Sequence, residues 1–452
     1  MTLSSHARSG LPRALLAAVA SLLLAGAAAT PALAHGHGHG RSAGHRHHRH
    51  HRHHRHHARR HHRHRHGHGH HGNGHPGPNP GHPGPGPGHP PPPGNVLFVS
   101  PSGNDASTSC AWSAPCRTIG RAVSLAGAGA TVVVLPGTYA EQVTIAKRLR
   151  LVGKHGATID ATGQTNGVVI SGAAAAGSTV TGFTVEHATQ EGILATQTAH
   201  VKIGRNVVQF NDLGATSSNP TGECAPQGQI PGDCGEGIHL MSVTDARVGG
   251  NQVTQNTGGI LLTDELGPTT RNLIAGNDVF ENPLDCGITV AGHNPMAVQN
   301  GARMPNVAGI YDNWIVGNSS DDNGLRGEGA GILLAGAGPG TGVYDNVVKG
   351  NEASGNDLAG ITLHSHAPGD DLNGNVLVNN KLRNDNVGGD PDAGVRETTG
   401  ILLFSAVTPL QGTVVRGNVI RDVHFGVWTR NVPPIAPDAN AFINVDVPLQ
   451  QQ

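Results

Sequence analysis

Gly259-Ile260-Leu261-Leu262, followed by Asn277-Asp278-Val279, is the unit whose recurrence decides the fold. Gly-Ile pairs return at Gly192-Ile193, Gly237-Ile238, Gly287-Ile288, Gly331-Ile332, Gly360-Ile361 and Gly400-Ile401, with the variant Gly426-Val427. Asn-led turns stand at Asn206, Asn251, Asn277, Asn313, Asn346, Asn375 and Asn418, and a second Asn often follows five residues later, as in Asn206/Asn211 and Asn313/Asn318. Self-similarity at a few tens of residues marks a solenoid. The apolar period is two, so each unit is built on strands. An inward Ile, Leu or Val needs a neighbour above and below, and each coil supplies it to the next. Asn suits the corners because it tolerates the left-handed backbone region, and stacked Asn side chains bond to one another along the axis. These features predict an all-β chain, a right-handed parallel β-helix solenoid.

The first residues read as an export signal over 1–34. Arg8 and Arg13 give the positive start, Ala14 to Ala29 is apolar, and Ala32-Leu33-Ala34 fits the small-x-small cleavage rule. That run is too short for a convincing membrane span, and no later run approaches bilayer length. The expectation is a secreted, extracellular protein.

Charge is divided unevenly along the chain. No Asp or Glu precedes Asp105, and eleven basic residues do, nine of them between Arg41 and Arg65. The folded part therefore holds 19 basic against 31 acidic residues, a net of −12. An acidic body argues against nucleic acid as its partner. Segment 35–94 carries 22 His and then a Pro/Gly-rich stretch, with too few apolar residues to bury a core, so it reads as disordered. Its imidazoles suit Zn, Ni or Cu. It also suits a cationic arm that holds the protein on anionic wall polymers. Aromatic residues are only 3% of the chain, which disfavours broad platforms for neutral sugars.

Five Cys in an exported chain suggest disulfides. Cys110 with Cys116 and Cys224 with Cys234 read as local loop staples. Cys286 is left over and reads as a buried free thiol lining the helix interior.

Residues 95–160 read as an N-terminal cap and first coils, 161–431 as the repeats, and 432–452 as a C-terminal cap or tail. Thr118 to Ala126 has helical spacing and is the candidate N-terminal cap, since a β-helix end exposes an unpaired edge. Val99-Ser100-Pro101-Ser102-Gly103-Asn104-Asp105, Cys116-Arg117-Thr118-Ile119-Gly120-Arg121-Ala122-Val123 and Leu135-Pro136-Gly137-Thr138-Tyr139-Ala140-Glu141 resemble the N-terminal portion of secreted bacterial right-handed β-helix proteins. Those form the pectin-lyase-like group, which includes pectate lyases, polygalacturonases, alginate lyases and epimerases, and proteins of the NosD type. The resemblance covers about Asn95 to Asn431 and implies the fold and a polysaccharide-related activity. Its repeats are architectural and assign no residue. The Arg-x-Pro-x-x-Arg pattern of pectate lyases, the polygalacturonase set of paired aspartates with Gly-His-Gly and Arg-Ile-Lys, and the Asp-Pro-His of alginate epimerases are all missing; Asp321-Asp322 and Gly292-His293-Asn294 are faint echoes of the second.

Coils of about 22 to 28 residues give roughly a dozen, a rod about 50–60 Å long at the usual strand spacing. Insertions fall on both sides of the Gly-Ile strand and would wall a groove whose floor is that strand's outward residues. Stacking brings Glu265 beside His293, with His366 about 10 Å beyond. Asp264, Asp370, Asp371 and Arg326 belong to flanking loops. Glu265, His293, His364 and His366 are the candidates for acid–base work, with Arg326 neutralising a substrate carboxylate. Asp264, Glu265, His293, His364, His366, Asp370 and Asp371 are the candidate ligands of a divalent cation, Ca²⁺ in the groove. His364-Ser365-His366 is the most specific element, because two strand residues separated by one share a face. Two functions follow. One is an enzyme binding or cleaving an acidic polysaccharide, as a lyase or glycoside hydrolase. The other is a non-catalytic, metal-handling surface scaffold that uses the His-rich tail.

Overall fold

The Gly of each Gly-Ile pair lies where successive coils pass closest. A Cβ on Gly192 would sit 2.7 Å from the carbonyl oxygen of Gly237, and one on Gly331 2.6 Å from that of Gly360. No larger residue fits without parting the coils. The computed structural model describes residues 96–212 and 235–452. The expected signal segment, the His-rich tail, and Cys224 and Cys234 lie outside the described residues.

The coil has three principal strand columns, linked in a 29-stranded system. In the first, Ile193, Ile238, Ile260, Ile288, Ile332, Ile361, Ile401 and Val427 stand in unbroken parallel register. All point inward and are buried. The second sheet stacks Lys202–Gly204, Arg247–Gly249, Leu273–Ala275, Trp314–Val316 and Val347–Lys349. The third stacks Val207–Gln209, Gln252–Thr254, Asp278–Phe280, Ser319–Asp321 and Glu352–Ser354. Each strand contributes one central inward side chain, such as Ile203, Val248 and Ile274, to a single continuous core. Each fully buried aliphatic of this kind contributes roughly 1.5–3 kcal/mol.

Asn side chains form three buried ladders. One runs Asn206–Asn251–Asn277–Asn318–Asn351–Asn380–Asn418–Asn440. A second runs Asn211–Asn256–Asn282–Asn323–Asn356 and ends on Asp385. The third is shorter: Asn272–Asn313–Asn346–Asn375. Asn313, Asn346 and Asn375 therefore do not continue the column of Asn277, as the sequence pattern suggested. From Asn272 onward each coil carries three such positions five apart, so a two-member reading slips by one. At Asn251 the amide donates to Ile203 O and Asn277 Oδ1, and its Oδ1 accepts the side-chain and backbone N–H of Asn206. Such a network, fully satisfied away from water, fixes register.

The corner bend itself is made elsewhere. The left-handed residue is the one before the ladder Asn: Arg205, Phe210, Gln255, Arg271, Glu281, Asp312 and Asp345, or Gly250, Gly276 and Gly317. The expectation that Asn takes the strained conformation is corrected. Asn is there for its amide.

At the N-terminal end the helix Ile119–Leu125 packs Ile119, Ala122 and Val123 onto the first strands. Thr118 accepts from Arg121 N–H, and Glu141 accepts the N–H groups of Ile119 and Gly120. Cys110 and Cys116 form a disulfide in the adjoining loop. At the other end the expected tail contains a further strand, Ala441–Gln451, paired parallel with Val419–Arg430. Phe442, Val445 and Leu449 rest on the core there.

Candidate functional site

The outward residues of the Gly-Ile sheet do not form an open floor. His239, Leu261, Thr263, Thr289, Thr362, His364, Leu402, Phe404 and Trp428 are all buried. The insertions lie over the strands rather than beside them. Ala393 and Val395 pack on Leu402, Phe404 and Trp428. Ala330 covers Cys286, whose Sγ accepts the Ala330 N–H. Cys286 is thus a buried free thiol, but it sits on the outer side of the sheet, not in the helix interior. Burial raises its pKa well above the ordinary thiol range.

Coil stacking does bring Glu265 and His293 together. The Glu265 Oε1 to His293 Nδ1 separation is 2.7 Å, with His293 buried and the Glu265 side chain 30% exposed. Burial opposes the charged carboxylate of Glu265, but the hydrogen bond and charge of His293 outweigh it and lower its pKa to about 2. Asp264 is buried, which raises its pKa to about 6 against the pull of the N–H groups of His293, Asn294 and Gly309. Those three bonds make Asp264 the organiser of this loop. The contact continues inward. His239 lies between Glu191 Oε1 at 3.0 Å and Thr263 Oγ1 at 2.8 Å. Desolvation works against charge on His239, yet Glu191 holds its pKa above the ordinary value. Glu191, Glu236 and His239 form one buried cluster. The buried His239 network and the Glu265–His293 pair at its edge place imidazoles and carboxylates in hydrogen-bond contact, the groups that acid–base chemistry uses.

A second cluster occupies the later coils. His366 Nε2 lies 3.0 Å from Asp392 Oδ2, and His364 Nδ1 lies 4.0 Å from the same oxygen. Burial disfavours the charged form of His366, but Asp392 outweighs it and raises its pKa. Phe404 sits edge-on to His364, and Arg430 lies 5.7 Å above the Phe404 ring. Sequence reasoning passed over Asp390 and Asp392 because their loop position gives no period to read.

The other expected site residues are placed elsewhere. Asp370 is buried and accepts from Ala367 N–H and Thr341 Oγ1, which makes it a turn cap. Asp371 is held by Arg303, which also reaches Asp345 and lies 3.9 Å over the Tyr344 ring. Arg303, not Arg326, is thus the guanidinium engaged with these carboxylates. Arg326 is exposed and joins neither cluster.

One surface feature was not foreseen. On the second sheet Arg150, Thr179, Lys202, Arg247, Leu273 and Trp314 occupy one outward column, one per rung. Arg150, Lys202 and Arg247 are exposed and pair with no carboxylate among the described residues, and Trp314 is 48% exposed. Beside them is a cleft of about 610 Å³, lined by His200, Lys202, Asp245, Arg247, Arg271 and Leu273. Only Arg271 is neutralised, through two bonds to Asp245. The signal was present as isolated cations, but the residues stand tens of positions apart and only register aligns them.

In-register coils, buried amide ladders and inward aliphatics define a right-handed parallel β-helix repeat protein. Residues 163–347 match the family described as the right handed beta helix region, and residues 101–179 match a family of unknown function, DUF1565. No curated protein matches the chain. Among solved structures, the Dettilon tailspike protein is similar at 16% identity, covering 78% of this chain and 68% of that one with a TM-score of 0.47. An alginate lyase from a Paenibacillus species is similar at 12% identity, covering 78% and 99% with a TM-score of 0.41. A pectate lyase is similar at 14%, covering 74% and 68% with a TM-score of 0.37. Among the described residues no helix is long and apolar enough to cross a membrane.

Proposed function

We propose that this is an extracellular β-helix protein that binds an acidic polymer, a polyuronate or a phosphate-bearing wall chain, along the cationic side of its second sheet. The observation that carries this reading is the column Arg150, Lys202, Arg247 and Trp314. It sets unpaired cations and one exposed indole in line on a body whose net charge is −12. The column spans six rungs, and the five intervals between them make about 24 Å at the usual strand spacing. A cation with no carboxylate beside it keeps its full attraction for an anion, and several of them in one line meet a repeatedly charged chain more readily than a compact solute. Trp314 adds an apolar face for a sugar ring.

Affinity electrophoresis in gels containing pectate, alginate, a poly(glycerol phosphate) or neutral dextran tests it. Retardation by the anionic polymers should weaken with added salt. The double variant Lys202→Glu/Arg247→Glu should bind at least tenfold more weakly. The relative strength of the carboxylate and phosphate gels tells the two sources apart. Equal retardation by dextran, or unchanged binding in the double variant, overturns the proposal.

Cleavage is the second reading, favoured by the Glu265–His293 pair, in which a part-exposed carboxylate lies 2.7 Å from a buried imidazole. Release of unsaturated uronate ends (elimination) or of new reducing ends (hydrolysis) in the same incubations, lost in Glu265→Gln, supports it. Absence of product from every polymer removes it.

A further inference from the structure

We propose that His364, His366 and Asp392 form a binding site for a divalent transition metal of the imidazole-preferring kind, with Asp390 as the group that orients His364. This inference is independent of the polymer-binding reading, which concerns another face and other residues.

The donors converge from two segments. His364 lies in the strand Ile361–Ser365 and His366 just past its end, so both imidazoles leave the same side of the sheet, with ring centroids 5.3 Å apart. Asp392 comes from the insertion before the next coil. One donor atom from each of the three lies within 4.8 Å of the others. Tetrahedral coordination with bonds of about 2.0–2.2 Å sets donors roughly 3.3–3.6 Å apart. The 3.0 Å and 4.0 Å separations from Asp392 Oδ2 bracket that range, so only small side-chain rotations are needed.

What separates this from an ordinary ion pair is the group behind it. Asp390 is 1% exposed, and its Oδ2 lies 2.9 Å from His364 Nε2. The two atoms are at ion-pair distance without hydrogen-bond alignment, and neither has a hydrogen-bond partner among the described residues. A buried carboxylate within reach of the far nitrogen is the group found behind metal-ligating histidines, and a small rotation of the His364 ring lets Nε2–H donate to Asp390 and leaves Nδ1 free for an ion. Asp390 is itself fixed, since its Oδ1 accepts from Ala393 N–H and its backbone pairs with Val395. Phe404, Val395 and Trp428 form an apolar wall around this inner side. The outer side is open: the His366 and Asp392 side chains are 37% and 34% exposed. An ion can therefore enter and keep one position for water. Two nitrogens and one carboxylate favour Zn²⁺, Co²⁺ or Ni²⁺ over Ca²⁺, which takes oxygen ligands. Other coils place Thr263, Ala291 and Ala335 where His364 stands, so the backbone does not demand an imidazole there.

The experiment uses the full chain, in wild-type form and as His366→Ala and Asp392→Asn. Both substituted positions are exposed, so the variants should fold, and any metal bound by histidines elsewhere is common to all three proteins. Thermal melts with and without Zn²⁺ should show a rise of a few degrees in the wild-type Tm that is lost in both variants, because only ligands of the folded state shift the midpoint. Ca²⁺ should give no rise. Crystals grown with Zn²⁺ should show an anomalous peak within about 2.2 Å of His364 Nδ1, His366 Nε2 and an Asp392 oxygen. A Tm rise that survives in both variants, or Zn²⁺-grown crystals with no peak there, overturns the site.

Discussion

The outer side of the Gly-Ile sheet holds Glu191, Glu236, His239, Asp264 and Asp390 out of water, whereas on the second sheet Arg150, Lys202 and Arg247 stand in it without a carboxylate partner among the described residues. The backbone of the two sheets is the same, so the difference comes from where the coil admits extra residues. Around the third-sheet strand the ladder positions stay five apart from Asn206/Asn211 to Asn380/Asp385, as in Asn251/Asn256 and Asn318/Asn323. No insertion can enter without breaking both ladders. On either side of the Gly-Ile strand no such spacing binds the chain, and the insertions that arise there fold over it. Polar groups they cover must be paired; cations on the bare sheet need no partner. Architecture and chemistry are thus separated by sheet.

The strongest way to break this contrast is Glu191→Ala. It leaves His239 without its carboxylate and the Glu236 N–H without its acceptor, both buried. Removing one partner of a buried pair costs about 3–5 kcal/mol, whereas Lys202→Ala with Arg247→Ala should shift stability by no more than about 0.5 kcal/mol. Urea midpoints compare the two directly. A Glu191→Ala protein as stable as the surface variant would mean the covered side is not sealed.

Asp385 sharpens the same point through pH. It ends the second ladder, accepting from both the backbone and the amide of Asn356, and burial raises its pKa to about 8. A folded-state value above the unfolded one means the folded protein holds the proton more tightly. The stability this group contributes is complete below about pH 4 and is lost as pH rises through about 8. Asp385→Asn keeps the oxygen that accepts from Asn356, gives up the one that accepts the Arg383 N–H at every pH, and removes the ionisation. Its stability advantage over the wild type should therefore grow between about pH 4 and 8, by up to several kcal/mol, and stay flat outside that window. Denaturant midpoints at a series of pH values check it.

Much of the fold was legible because its causes are local. Gly before Ile marks the closest approach, and alternation marks the strands. Register was less legible: three Asn five apart, as in Asn313, Asn318 and Asn323, look alike from any pair among them. The site was legible only where one strand or the stacking of neighbouring coils carried it. His364 and His366 could be seen to share a side, and Glu265 could be set beside His293 once coils were stacked. Asp390 and Asp392 could not, because a covering loop has no period. The burial of His239 and Thr263 was hidden for the same reason, and so were the structural roles of Asp370 and Asp371.

The bare sheet should respond to change in binding and not in folding. Lys202→Glu with Arg247→Glu reverses two adjacent in-register charges. The expected loss for an anionic polymer is at least tenfold, or about 1.4 kcal/mol, at a melting temperature within a degree or two of wild type. Parallel melts and gel retardation separate those effects.

Trp314→Ala is the smallest and most discriminating change. The indole lies two rungs from Arg247, with Leu273 between them, and is 48% exposed, so its loss removes little burial and no charge. If polymer binding is charge alone, the variant should bind as wild type does and keep the same salt dependence. If a sugar ring rests on the indole, affinity should fall a few-fold, with the slope of affinity against salt unchanged, because no ionic contact has been removed. A loss that appears with the polyuronates and not with poly(glycerol phosphate), which offers no ring to stack, would assign the column to a sugar-based chain.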